Sequence, residues 1–304
     1  MPSAMSAIAA AEPAIRAGIF LGVLALMALW EALAPRRRQT VPRRLRWPGN
    51  LGIVVVDTIV LRLLFPIGAV GIAVAAEQQG WGLLNMAGGK ALPAWATVPA
   101  TVLLLDLLVY GQHVLFHAVS VLWRVHRMHH ADLEYDTTTA LRFHPVEIVL
   151  SLLIKGAAVV AVGAPPAGVL AFEVLLNASA LFNHGNVRLP AGLDRALRLV
   201  AVTPDMHRVH HSAVRRETDS NFGFALACWD RLFGTYRAQP AAGHEGMTIG
   251  LASFRDPAEL RLDRMLLQPF RPVDAAAVAA DQEPGGRAPA TSGTKVTGPR
   301  SSSS

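Results

Sequence analysis

The residues best suited to chemistry in this chain are its histidines, which recur at helical spacing. His113 and His117 (HVLFH) are four positions apart, so both imidazoles lie on one face of a helix. The motifs HRMHH and HRVHH repeat a spacing of three and four and supply His126, His129, His130, His207, His210 and His211. With 11 histidines in 304 positions, roughly 0.01 copies of HxxHH are expected by chance. Two copies are therefore not accidental, and they predict a cluster of ring nitrogens.

Such a cluster predicts a metal site, because neutral imidazole binds iron, zinc, copper and nickel. Eight imidazoles exceed the demand of one four- to six-coordinate ion, so the sequence predicts two ions. The single cysteine, Cys228, excludes a cysteine-rich zinc or iron–sulfur site. Neither the HExxH motif of zinc hydrolases nor the ExxH motif of soluble di-iron bundles occurs. We therefore favour iron, with O2 as the oxidant.

The elements that must position these histidines are long apolar blocks. The chain is 52% hydrophobic and only 16% charged, with a mean hydropathy of +0.35, which argues against a soluble enzyme. The blocks span residues 15–34, 51–76, 93–117, 146–163 and 165–182. We predict an all-α integral membrane protein with four to five membrane-embedded helices and a cytoplasmic helical cap that carries the dimetal site.

The orientation follows from an arginine run between the first two blocks. Six arginines lie between Pro35 and Pro48, and the positive-inside rule places them in the cytoplasm. The N-terminus is then outside and the active site lies on the cytoplasmic face. We expect Arg36 to Arg46 to contact anionic lipid and not nucleic acid, because membrane spans flank the run.

Composition also divides the chain. We predict an N-terminal transmembrane region with the arginine-rich loop (1–92), a histidine-motif domain (93–250), a C-terminal cytoplasmic segment (251–271) and a disordered tail (272–304). The tail is rich in Ala, Gly, Pro, Ser and Thr. Within the helical hairpin 146–182, Lys155 and Glu173 lie at similar depth, and we expect them to pair because isolated charges there are costly.

Six segments together resemble the membrane-bound sterol desaturase and fatty acid hydroxylase family: HVLFH, HRMHHAD, TTALRFHPVE, NHGN, HRVHHS and NFGFALACWDRLFGT. The resemblance covers about residues 50–250. It implies that the eight clustered histidines are catalytic metal ligands and that His184, in NHGN, is a ninth ligand. It also gives His144, in RFHP, a role as a late ligand or as a support for the ligands.

Other polar residues are candidates for orienting the ligands. Asp106 lies seven positions, about 10 Å along a helix, from His113, so it would reach a histidine on another helix. Glu173 and Asn177 share a helical stripe with His184. Asp205 lies two positions before His207.

The resemblance implies an O2-dependent di-iron oxidoreductase that hydroxylates or desaturates an unactivated C–H bond of a lipid, whether sterol, fatty acyl or related. Zinc can replace the two iron ions during purification. Because the chain lacks a GxGxxG motif, the resemblance also implies an external electron donor, a ferredoxin or a cytochrome b5-like protein with its reductase.

Two other functions remain open from the residues alone. One is a membrane zinc metallohydrolase. The other is a non-catalytic membrane protein that binds or transports metal. Transport is disfavoured because the histidines gather at one membrane face, whereas transporter sites usually lie near the midplane.

Overall fold

The computed structural model describes residues 4–86 and 92–273, and no β-strand forms within these ranges. The helices up to the middle of the chain are α1 Ala4–Leu33, α2 Arg43–Leu64, α3 Ala69–Gln79, α4 Leu83–Met86, α5 Ala94–Ala118, α6 Ser120–His130, α7 Pro145–Val162 and α8 Pro166–Asn183. Short helices follow: α9 Ala191–Leu197, α10 Pro204–His210, α11 Arg215–Thr218, α12 Cys228–Leu232, α13 Gly243–Gly246 and α14 Leu262–Leu267. The described ranges also contain 3-10 turns at Thr137–Leu141, Pro257–Leu260 and Gln268–Phe270. The predicted all-α class is confirmed.

Five stretches of the described chain are long and apolar enough to cross a membrane: Glu12–Leu33, Arg43–Met86, Ala94–Ala118, Pro145–Val162 and Pro166–Asn183. Large apolar side chains such as Leu26, Leu63 and Trp95 remain exposed on them, as lipid-facing positions do. The prediction of an integral membrane protein with four to five embedded helices is confirmed.

The second predicted span, 51–76, is not one helix. The chain leaves α2 at Phe65, whose φ of −135° and ψ of 82° are not helical. Pro66 follows, and a proline both lacks an N–H and disfavours the helical conformation in the residue before it. A new helix, α3, begins after Gly68. Hydropathy alone did not reveal this break.

Helices α7 and α8 form the predicted hairpin. Gly163 ends α7 with a φ of +71°, a conformation that residues with a β-carbon rarely adopt. Pro166 begins α8, where its fixed φ suits the first helical turn. Lys155 Nζ lies 3.3 Å from Glu173 Oε1, so the predicted pair is confirmed. Arg16 of α1 joins it, 2.7 Å from Glu173 Oε2.

The arginine run does not lie flat against lipid. Arg46 is completely buried, and its guanidinium binds both oxygens of Asp132 at 2.8 and 2.7 Å and Asp136 at 2.5 Å. Arg43 pairs with Glu31 at 3.0 Å. The expected lipid contact is therefore wrong for Arg46, because the first turn of α2 packs against the segment that follows HRMHH. Arg44 is exposed.

The division of the chain at residues 92, 250 and 271 stays a prediction, as do the cytoplasmic cap and the outside N-terminus. The predicted disordered tail lies outside the described residues from position 274 onward.

Candidate metal centre

Nine buried histidines come together at one end of the helices in two groups. The first group contains His113, His117, His126, His130 and His210. The second group contains His129, His184, His207 and His211. In each group the candidate ligand nitrogens lie within 4.8 Å of one another. These nine are the histidines that the sequence and the family resemblance named as metal ligands.

Both HxxHH motifs divide between the two groups in the same pattern. In HRMHH, His126 and His130 are four positions apart and enter the first group, while His129 enters the second. HRVHH divides in the same way but with the groups exchanged: His207 and His211 share the second group and His210 enters the first. Each HxxHH motif therefore contributes to both groups. Its first and fifth residues enter one group, and its fourth residue enters the other.

The ring nitrogens in the second group converge on one point. Nε2 of His184 lies 3.2 Å from Nε2 of His129, 3.1 Å from that of His211 and 3.2 Å from that of His207. A neutral imidazole carries a single N–H, so hydrogen bonding does not account for three such contacts. Metal–nitrogen bonds of about 2.0–2.1 Å place neighbouring ligand nitrogens about 2.8–3.4 Å apart in octahedral or tetrahedral geometry. The second group fits a metal ion.

The first group has the same signature. Nε2 of His126 lies 3.1 Å from Nε2 of His113 and 3.2 Å from Nε2 of His130. The buried Nε2 atoms of His117 and His210 have no hydrogen-bond partner among residues 4–86 and 92–273. Buried polar atoms are nearly always paired, so these lone pairs point to an ion that they would coordinate.

Hydrogen bonds on the far side of the rings fix the tautomer that such coordination needs. Five of the nine histidines place Nδ1 against an oxygen: His113 at Phe222 O (2.8 Å), His117 at Asp219 Oδ1 (3.1 Å), His126 at Glu147 Oε1 (2.7 Å), His184 at Ala180 O (2.8 Å) and His210 at Ser220 O (2.7 Å). A carbonyl or carboxylate oxygen requires the proton on Nδ1, which leaves Nε2 free to bind metal.

Burial keeps six of these imidazoles neutral by lowering their pKa values. It lowers the pKa of His184 to about 4 and that of His210 to about 3. The pKa values of four others outside the membrane spans are lowered well below the usual range for the same reason: His129, His130, His207 and His211. Neutral rings at pH 7 are the form that ligates metal.

Two carboxylates that orient ligands were missed by the sequence reasoning. Glu147 accepts a hydrogen bond from His126, and Asp219 accepts one from His117. Glu147 lies 21 positions from its partner and Asp219 lies 102, so no spacing rule connects them. The only available signal was the place of Glu147 in the segment TTALRFHPVE.

Substituting Glu147 tests this support. We expect Glu147→Gln to raise the metal Kd of the first group about 10–100-fold, because outer partners of ligating histidines contribute that much to affinity. Competition with a chelator of known affinity measures the change. Glu245→Gln, at an exposed carboxylate that contacts Arg36, is the matched control. An unchanged Kd in Glu147→Gln would contradict the role.

Two predicted supporting residues lie elsewhere. Asp106 accepts hydrogen bonds from the backbone of Ala225 and Leu226 and from the indole of Trp229 at 2.8 Å. It therefore anchors the loop before α12 and contacts no histidine in the described chain. Asp205 pairs with Arg208 and Arg36 and not with the ring of His207. Two arginines, Arg208 on the same helix and Arg36 from the segment after α1, therefore engage the Asp205 carboxylate in place of the ring of His207.

Glu173 and Asn177 share the stripe of His184 without touching its ring. Asn177 donates to the carbonyl of Glu173, and the Nδ1 of His184 is already bonded to the carbonyl of Ala180. His144 belongs to neither group. Its Nδ1 accepts from the backbone N–H of Val146 at 3.2 Å, so it caps α7.

An elongated cavity of about 540 Å³ leads away from the first group. His113 and His126 line one part of it, together with the apolar rings of Phe116, Phe143 and Phe224. Its lining continues between α1, α2, α7 and α8 to Arg16, Lys155 and Glu173. This cavity can hold an apolar chain with one carbon beside the histidines.

Comparison with known proteins agrees with this site. Residues 98–235 match the sequence model of the fatty acid hydroxylase family. The chain is 31% identical to human alkylglycerol monooxygenase over 152 residues, covering 49% of this chain and 32% of that protein. It is 32% identical to the ornithine lipid hydroxylase OlsE of Rhizobium tropici over 132 residues, covering 43% of this chain and 39% of that protein.

A third relative, alkylglycerol monooxygenase of Xenopus tropicalis, is 29% identical over 168 residues, covering 55% of this chain and 36% of that protein. The chain therefore spans about a third of the length of the curated relatives it matches. No solved structure matches it. The family match extends from α5 through Thr235 and includes all nine clustered histidines, so the part of the chain that holds the histidine groups matches the fatty acid hydroxylase family.

Proposed function

We propose that this protein is an O2-dependent, di-iron membrane monooxygenase that hydroxylates an unactivated C–H bond of a lipid. One observation carries the proposal: two groups of buried histidines that could hold metal lie together, and two histidines of the first group line a cavity between membrane helices. Apolar side chains, among them Phe116, Phe143 and Phe224, make up more than half of the residues that line this cavity, which suits a lipid chain better than the water that a hydrolase needs.

Hydroxylation is favoured over desaturation by the relatives. Their names describe a monooxygenase of alkylglycerols and a hydroxylase of ornithine lipids. Both names denote lipid substrates and the insertion of oxygen. The exact lipid is a separate question, because this chain matches only about a third of each relative.

The nine clustered histidines would hold the two irons. Bound iron would supply the activation of O2 and the removal of hydrogen from carbon. The chain itself would hold the rings through their Nδ1 partners, keep the site dry by burial and place one carbon of the lipid beside His113 and His126. Zinc hydrolysis remains the alternative if the sites hold zinc in cells.

The two electrons that O2 reduction needs would come from an external donor, a ferredoxin or a cytochrome b5-like protein. A second cavity of about 380 Å³ supports this, since it is lined by His117, Trp123, Arg127 and Arg215. The ring of Trp123 lies 4.9 Å from that of His117, and the Arg215 guanidinium lies 4.8 Å over Trp123. A basic entrance beside a metal ligand suits an acidic donor, and we place this face in the cytoplasm.

Metal analysis and O2 consumption test the function. The purified protein is reconstituted anaerobically with Fe(II), reduced chemically and supplied with a lipid extract. We expect about two irons per chain, O2 uptake that requires both reductant and lipid, and incorporation of an 18O atom from 18O2 into a lipid product. Two bound metals with no O2 uptake for any lipid would overturn the proposal and favour hydrolysis or metal handling.

A further inference from the structure

Two segments near the metal groups expose large apolar side chains. Leu199 and Val200 precede α10, whereas Leu232 ends α12 and Phe233 follows it; all four are between 55% and 69% exposed in the described chain. The N–H of Ala227 donates to the carbonyl oxygen of Val200 at 2.9 Å, so the two segments lie side by side. We call the four side chains the α12 patch. Exposed apolar side chains that adjoin one another mark an interaction surface.

The α12 patch lies alongside the middle of α5. Two backbone N–H groups of the loop before α12 and the indole of Trp229 donate to the carboxylate of Asp106. The ring of Phe233 stacks on that of Tyr110, with 5.4 Å between the ring centres. The loop before α12 is therefore at the level of Asp106, and the end of α12 is at the level of Tyr110.

These levels of α5 fall within the bilayer. The helix is a candidate membrane span of 25 residues, Ala94–Ala118, and crossing the hydrocarbon takes about 20 residues. Every stretch of about 20 residues within α5 places Asp106 at least about seven residues, about 10 Å, from either boundary of the hydrocarbon. Tyr110 is then at least about three residues, about 4–5 Å, inside it.

The neighbouring helices give a similar depth. Helices α7 and α8 have only 18 residues each, so they cross the hydrocarbon only if they are immersed over nearly their whole length. Helices α5 and α8 both run towards the metal groups. Near the start of α8, Gly168 packs so closely on α5 that a Cβ atom on it would lie 2.8 Å from that of Thr101. Five residues further along each helix, Asp106 is level with Glu173, near the middle of α8.

The hydrogen bonds of the segment meet the demands of such a place. Non-helical backbone occurs at membrane depth where the protein itself pairs its polar groups. Asp106, which is fully buried, provides this pairing for the loop before α12. Asp230 accepts hydrogen bonds from the N–H groups of Phe222 and Gly223 at 2.7 and 3.0 Å. Both carboxylates thus have the partners without which an acidic group in a membrane is costly.

An arginine accompanies the patch. Arg231 of α12 is exposed, and its guanidinium lies 4.3 Å from the centre of the Tyr236 ring and donates to the carbonyl oxygen of Ala227 at 3.0 Å. A long arginine side chain can follow apolar surface and keep its charged end in the headgroup region. Arg231 can therefore stay hydrated while its neighbours contact lipid tails.

We propose that residues 225–233 form a re-entrant segment that enters the bilayer beside α5, with the α12 patch against lipid tails and Asp106 as its anchor. Phe222, three residues before this segment, holds Nδ1 of His113 with its carbonyl oxygen at 2.8 Å. On this side the metal groups are then bounded by the membrane. The cap predicted to be cytoplasmic is, in this proposal, partly immersed in lipid.

The single cysteine of the chain reports this position directly, because Cys228 is exposed and begins α12. The zinc-loaded protein is labelled there with a nitroxide and placed in nanodiscs. Power-saturation EPR then compares its access to O2, which concentrates in hydrocarbon, and to nickel ethylenediaminediacetate, which stays in water. Two reference labels use a Cys228→Ser background. Leu26→Cys, 61% exposed within the α1 span, represents lipid, and Glu245→Cys, 75% exposed and paired with Arg36 beyond the end of α1, represents water.

We expect the ratio of O2 access to nickel access at Cys228 to match that of Leu26→Cys. It should exceed the ratio of Glu245→Cys at least about 10-fold, because a polar complex is excluded from hydrocarbon. A ratio at Cys228 equal to that of Glu245→Cys, or a label shielded from both reagents, would overturn the proposal that α12 enters the bilayer.

Asp106→Ala tests the anchor. It leaves the donors of the loop unpaired at membrane depth, so the ratio at Cys228 should fall towards that of Glu245→Cys. Asp263→Ala, at an exposed carboxylate of α14, should leave the ratio unchanged. A ratio that stays at the lipid value in Asp106→Ala would overturn the role of Asp106 as the anchor. The label on the wild-type chain decides the position of α12 even if Asp106→Ala fails to fold.

Discussion

His184→Ala is expected to remove one of two metal ions and to abolish lipid-dependent O2 uptake. Nε2 of His184 lies within 3.2 Å of the corresponding atoms of His129, His207 and His211, so its loss opens the centre of the second group. Loss of an outer support alone weakens such sites about 10–100-fold, and removal of a ligand should exceed that. Elemental analysis should fall from about two metals per chain to about one.

His144→Asn is the matched control, because it removes another buried imidazole that belongs to neither metal group. His144 caps α7 through its Nδ1 and lies in neither metal group. Asparagine is a good N-cap residue, so this variant should keep both metals and normal turnover. Full metal content and normal turnover in His184→Ala would remove His184 from the ligand set, and metal loss in His144→Asn would add His144 to it.

Helical spacing was sufficient to predict that the histidines within each motif lie close together. Residues three and four positions apart share a helix face whatever the rest of the fold does, so HVLFH, HRMHH and HRVHH had to form local clusters. Their division between the two metal groups does not follow from this rule, because His126 and His129 are three positions apart yet enter different groups. Which histidines share a group depends on how the rings of the two HxxHH motifs meet in the fold, as His129 meets His211 and His130 meets His210.

Contacts between distant segments could not be predicted in this way. His126 meets Glu147 because α6 turns back against α7, and His117 meets Asp219 across 102 positions. Asp106 lay on the expected polar stripe, yet it binds the loop at Trp229. Periodicity fixes the face on which a side chain lies, whereas its partner depends on packing between helices.

The arginine run shows a second limit of sequence reasoning. Charge counts favour a surface position for Arg46, and arginine is rarely fully buried without a partner. In the structure Asp132 and Asp136 supply that partner. Burial raises the pKa of Asp132, but Arg46 and Arg142 outweigh it and hold this pKa below its usual range. The ion pairs that compensate for burying Arg46 are therefore made with residues 86 and 90 positions away from it in the sequence.

Arg46→Ala is therefore expected to be among the most destabilising single substitutions in the chain. It leaves Asp132 and Asp136 buried, with Arg142, 4.0 Å from Asp132, as the remaining arginine beside them in the described chain. Removing one partner of a buried ion pair costs about 3–5 kcal/mol in the free energy of unfolding. Because Asp132 lies two residues after His130 at the end of α6, metal content should also fall.

Arg44→Ala separates this effect from a lipid contact. Arg44 lies in the same run and is exposed, and an exposed charge contributes within about 0.5 kcal/mol. Its variant should keep the wild-type Tm in detergent and both metals, whereas Arg46→Ala should lose Tm in the same detergent and in nanodiscs without anionic lipid. If the Tm of both variants fell equally and only in the presence of anionic lipid, Arg46 would contact lipid and not the two aspartates. A loss confined to Arg46 means that the N-terminal segment, and not the bilayer, holds the loop behind HRMHH in place, so that the metal site depends on a part of the chain outside the matched residues 98–235.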